Sequence, residues 1–166
     1  MNSYPEQRKV TANVLTPLGW LHATMHLPPM QTLFDFLNSG QPIVKCTRVR
    51  LPNQPLLQSF VALRRDAITL VAPTIDELVE TVGSVGHTRT RQVRCYLDDG
   101  ILDGEFEVLI NLRISDFLRQ QTGLVVLRQA QLTPYDPGAD PTQSRKMPVV
   151  IVNLANVVGI AEIMSS

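Results

Sequence analysis

The chain has 166 residues, 15 Lys and Arg against 15 Asp and Glu, and 18% charged residues. A charge fraction below the usual ~25%, with a mean hydropathy of +0.04, excludes a disordered or coiled-coil chain and supplies the apolar material for a core. Zero formal charge also removes the basic excess by which a general polyanion binder neutralises phosphates.

The chain opens as a strand, a turn and a second strand. In that second strand Leu21, Ala23, Met25 and Leu27 alternate with His22, Thr24 and His26, the period of a half-buried strand. A segment of one or two helical turns follows at Asp35-Phe36-Leu37, with Thr32 as its cap and Asn38-Ser39-Gly40 as its end. The Asp is expected to complement the helix amino terminus, and the Phe and Leu to plug the core. Further strands are predicted over 43–51, over 60–63 after the short Pro-Asn-Gln-Pro loop, and over 67–71 after Arg65-Asp66. Residues 73–91 read as a linker. Within them Thr74 and Glu77 have capping-box spacing, and Ile75, Leu78, Val79 and Val82 recur at helical spacing up to Gly83. Such a helix needs an apolar surface to cover.

In the second half, Val93 to Leu97 leads into Asp98-Asp99-Gly100, a hairpin signal in which Gly100 is expected to supply a positive φ. The next strand sets Leu102, Gly104, Phe106 and Val108 on one face and Asp103, Glu105 and Glu107 on the other. Asp116-Phe117-Leu118 opens a second short helix, with Ser115 as its cap and Gly123 as its end. Strands over 124–132, 149–153 and 156–160 complete the half, with a proline-rich loop over 134–148.

The two halves match. A shift of 81 residues brings Gly19 onto Gly100, Leu21 onto Leu102, Asp35-Phe36-Leu37 onto Asp116-Phe117-Leu118, and Val44 onto Val125. Past the long loop the offset becomes 89, so that Val61 falls on Val150, Leu63 on Val152, Ile68 on Val157 and Val71 on Ile160. This pattern predicts an internal duplication. The expected fold is all-β with short helices: two tandem five-stranded small barrels over 1–72 and 92–166, each too small to be very stable alone, joined through the helix and linker of 73–91. Each half is also close to neutral, with seven basic and six acidic residues up to 83 and eight and nine after it.

The string VRCYLDDGILDGEFEV resembles the first Sm motif, and IVNLANVVGIAEI is similar in rhythm to the second. The short helix between strands two and three, with its Asp-Phe-Leu signature, resembles that of small uncharacterised bacterial domains. The resemblance covers both halves and implies tandem Sm-like (SH3-like) barrels, ring assembly through strand pairing, and RNA as a ligand of many relatives. The Arg-Gly of a typical second Sm motif is replaced here by Asn153-Leu154-Ala155 and by Arg65-Asp66-Ala67. The corresponding loops also lack a clear stacking aromatic.

Residue chemistry supports no enzyme. There is no phosphate-binding or nucleophile-elbow signature. His22 and His26 lie about 13 Å apart along a strand, too far to share a metal without a bend. Cys46 and Cys95 have no CxxC partner and read as buried thiols, with no disulfide framework, metal or cofactor indicated. The start MNSYPEQRKV has no apolar signal region and no run approaches ~18 apolar residues, so the chain is expected to be cytoplasmic and off the membrane. Lys45, Arg48 and Arg50 make one strand basic while Asp103, Glu105 and Glu107 make another acidic, which suggests head-to-tail association of complementary surfaces. Arg89 and Arg91, with Lys45, Arg48 and Arg50, form the candidate anion or RNA surface. A non-enzymatic protein-interaction or assembly module, self-associating or with a protein partner, ranks first. Sm-type RNA or nucleotide binding ranks second.

Overall fold

Alternating apolar and polar residues build the first hairpin. In the computed structural model, which describes residues 6–74, 87–121, 123–136 and 144–164, β1 (Arg8–Thr16) pairs with β2 (Gly19–Leu27) along its whole length. Val10, Ala12 and Val14 face Met25, Ala23 and Leu21 across the pair, all buried. Gly19, at φ +103°, turns the chain between them. After α1 (Leu33–Leu37) come β3 (Ile43–Arg50), β4 (Gln58–Arg64), a 3-10 turn over Arg65–Ala67, and β5 (Leu70–Pro73). The second half has the same succession: β6 (Thr88–Tyr96), β7 (Gly100–Leu109), α2 (Ile114–Gln120), β8 (Leu124–Pro134), β9 (Arg145–Asn153), a 3-10 turn over Leu154–Asn156, and β10 (Gly159–Glu162). The helix expected over 75–82 and much of the loop of 134–148 lie outside the described residues.

Strand register follows the sequence offsets. Ala12 opposes Pro73 and Val14 opposes Val71 between β1 and β5, while Val93 opposes Glu162 and Cys95 opposes Ile160 between β6 and β10. One strand of each pair is displaced by 81 residues and the other by 89. The bends recur as well. Arg48 at φ 51° and Gln129 at φ 47° stand where β3 and β8 slip register against β2 and β7, the signature of a bulge that sharpens strand curvature.

The ten strands of the described residues form one antiparallel sheet in the order β10-β6-β7-β8-β9-β5-β1-β2-β3-β4. The halves meet where β5 pairs with β9, Leu70 opposite Val152 and Val71 opposite Ile151. At this joint the sheet is buried on both faces, so successive residues serve two different cores. Val71, Ile151 and Leu124 join the core beneath the first half, whereas Leu15, Leu70 and Ala72 join the core beneath the second with Val150 and Val152. Near-continuous apolar runs at 68–72 and 149–152 are the sequence counterpart of such two-sided burial.

Several local expectations change. Residues 88–91, read as linker, are the first part of β6, because they pair with Phe106 to Leu109 of β7. The final strand of each half starts later than expected. Ile68 N bonds to Arg65 O and Val157 N to Leu154 O, closing 3-10 turns before the strands begin. Thr32 caps α1 by accepting from Asp35 N, but Ser115 lies inside α2, which starts from Arg113 without a side-chain cap. Gly100 does not supply a positive φ. A Cβ there would stand 2.6 Å from Thr133 O, so the close approach of β8 explains the glycine.

Candidate functional site

The five cations singled out from the sequence do not converge. Lys45, Arg48 and Arg50 are exposed on β3, which is next to one end of the sheet, while Arg89 and Arg91 lie on β6, next to the other. Arg91 ion-pairs with Glu162 of β10. The acidic strand is likewise matched inside its own hairpin. Asp103 takes two bonds from Arg94, at 2.7 and 3.1 Å, Glu105 accepts from Gln92 and Glu107 from Thr88. The bonds to Asp103 also push the Arg94 guanidinium above its ordinary pKa. Strand pairing thus satisfies locally much of the charge that the sequence offers as an intermolecular surface.

The other chemistry-bearing residues are similarly engaged. His22 Nδ1 contacts Asn13 Oδ1 at 3.1 Å and His26 Nε2 contacts Thr47 Oγ1 at 2.7 Å. Cys46 and Cys95 are fully buried, one in each core, and desolvation pushes their thiols up to about 11 and about 12. The Asp-Phe-Leu residues divide their work. Asp35 is exposed, Asp116 stands 3.8 Å from Arg119, Phe36 packs on the first core, and Phe117 packs against Phe106 with ring centroids 5.4 Å apart. Leu37 is 4% exposed, whereas its counterpart Leu118 is only partly buried. That difference arises at the joint, because Leu37 packs in a small pocket with Ile68, Val71, Leu124 and Ile151.

The joint also carries polar groups that sequence inspection missed. Asn153 Nδ2 donates to Ile68 O at 2.9 Å, and Asn156 Nδ2 donates to Ile68 O and Asp66 O, both at 2.9 Å. These bonds tie the second 3-10 turn to the first. Beside them lies an open cleft of about 430 Å³ to which the halves contribute matching positions: Pro42 and Gly123, Arg64 and Asn153, Asp66 and Ala155. Arg65 also lines it, with its Nε buried and unpartnered.

The remaining feature is the pair of sheet edges. Among the described residues β4 and β10 each have a hydrogen-bonded neighbour on one side only. Exposed apolar side chains lie on or beside them: Phe60 is 55% exposed, Ile43 43% and Val158 75%. Comparison with protein-family models, curated proteins and solved structures returned no match. No helix among the described residues is long and apolar enough to cross a membrane. The edge residues were legible only by comparing halves, since the exposed Ile43 looks like an ordinary strand residue until set beside its buried counterpart Leu124.

Proposed function

We propose that this protein is a non-enzymatic assembly module of the cytoplasm, built from two duplicated Sm-like small barrels, which associates with further copies of itself through its sheet edges. The observation that carries this reading is the open β4 edge with exposed Ile43 and Phe60. An unpaired strand with apolar neighbours is a template for another strand and is ordinarily blunted or covered. Because β4 and β10 differ in sequence, their pairing is head-to-tail, and the rotation at the joint decides between a closed ring and an open chain. Sedimentation across a concentration series tests the reading. Multiples of 18.5 kDa are expected, and a single-chain mass at all concentrations would refute it.

A second reading, binding of RNA or a nucleotide, draws support from the cleft at the joint, where Arg64 stands exposed in an ion pair with Asp66 and Arg65 keeps its buried Nε unpartnered. Purified protein with an absorbance ratio typical of copurifying nucleic acid would favour it, particularly if Arg65→Ala abolished the excess.

A further inference from the structure

The internal joint provides a template for its own repetition. Asn153 N donates to Thr69 O, which fixes the phase of the β5–β9 ladder and makes Val71 and Ile151 a hydrogen-bonded pair. Advancing the β5 residues by 89 gives Gly159 and Ile160 on β10. Moving Val152 and Ile151 of β9 back by 89 gives Leu63 and Ala62 on β4. Both destinations are, among the described residues, the open edges of the sheet.

Burial follows the same correspondence. Leu124 and Ile151 are 6% and 1% exposed because they lie in the first core with Leu37, Ile68 and Val71. Their counterparts Ile43 and Ala62 are exposed. The counterparts of Leu37, Ile68 and Val71 are Leu118, Val157 and Ile160, which sit partly buried at the border of the second core. Each free edge therefore displays one half of a contact that the internal joint completes.

We infer that a second copy of this chain docks its β4 on β10 of the first, with Leu63 opposite Gly159 and Ala62 opposite Ile160, placing Ile43 and Ala62 against Leu118, Val157 and Ile160. This rests on the assembly reading and specifies its partner and register. The new joint is weaker than the internal one. Arg64 and Ala67 stand where Asn153 and Asn156 supply side-chain bonds, and Lys45 stands where Val126 packs on the first core. Association between molecules is thus concentration-dependent while the internal joint persists.

Cysteines placed at the paired positions test the register. Opposed hydrogen-bonded residues have Cα atoms ~5.5 Å apart, within disulfide reach, and the native Cys46 and Cys95 are buried. The full-length Ala62→Cys/Ile160→Cys chain is expected to form reductant-sensitive oligomers under mild oxidation, while each single variant stays unlinked. Linking by either single variant would show like edges pairing and overturn the inference. So would an unlinked double variant that still sediments above the single-chain mass. A wild-type chain of single-chain mass at every concentration would remove the assembly reading as well. Because Ile160 borders a core, Ala62→Arg at an exposed position provides a second test. It should keep the far-ultraviolet circular dichroism and weaken association by ~10-fold or more, and unchanged association would contradict the proposed joint.

Discussion

Asn153→Ala removes one of the two asparagine side chains through which the second half grips the first. Asn153 is 7% exposed. Its Nδ2 donates to Ile68 O at 2.9 Å and its Oδ1 accepts from Ala155 N at 3.2 Å. Each bond contributes ~1 kcal/mol net, so the substitution should cost about 2–3 kcal/mol. In a chain of this length that lowers the melting temperature by roughly 4–12 °C. A double-mutant cycle with Asn156 sharpens the test, because Ile68 O accepts from both side chains at 2.9 Å. Either single variant leaves that carbonyl satisfied, whereas the double variant leaves it buried without a side-chain donor. An added penalty of ~1–2 kcal/mol beyond additivity is expected. Urea unfolding of the four proteins gives the comparison, and additivity within ~0.5 kcal/mol would refute the shared-acceptor reasoning.

Three further outcomes follow from packing and burial. Phe106→Ala, at a residue 0% exposed and packed at a tilt against Phe117, should cost about 3–5 kcal/mol by denaturant unfolding. Gly104→Ala should cost about 1–3 kcal/mol, since its Cβ would meet Leu127 Cδ2 and Cγ at 2.6 Å. Burial holds Cys46 and Cys95 at about 11 and about 12 against an ordinary value of 9.0, so the folded state retains these protons more tightly than the unfolded one. That stabilisation is complete below pH ~9 and is lost as the pH rises toward 11–12. Stability should fall across this alkaline window, the fall should flatten in Cys46→Ala/Cys95→Ala, and thiol reagents at pH 8 should label the native wild type only as fast as it opens.

Strand periodicity made much of the fold readable. The alternation of Leu102, Gly104, Phe106 and Val108 with Asp103, Glu105 and Glu107 correctly separated inner from outer faces, because burial on one side imposes period two. Thr24 departed from the equivalent pattern and is buried at 8%, beside the register slip between β2 and β3. Charges were harder to read. Asp103 reads as part of an acidic surface until strand pairing sets Arg94 beside it, since cross-strand neighbours are not sequence neighbours. The same limit hid the joint. Leu70 and Val71 form an apolar run whose two faces enter different cores, and no local pattern says which strand covers each face. Asn153 and Asn156 gave no signal, because their acceptors lie more than eighty residues away.

Backbone amide hydrogen exchange at low and high protein concentration tests edge pairing most directly. Val71 and Ile151 are already paired within one molecule and should be protected at both concentrations. Ile160 of β10 and Ala62 of β4 should gain protection together as concentration rises, because one new ladder engages both edges. If both edges exchange equally fast at every concentration, or only one becomes protected, β4 does not pair with β10 between molecules.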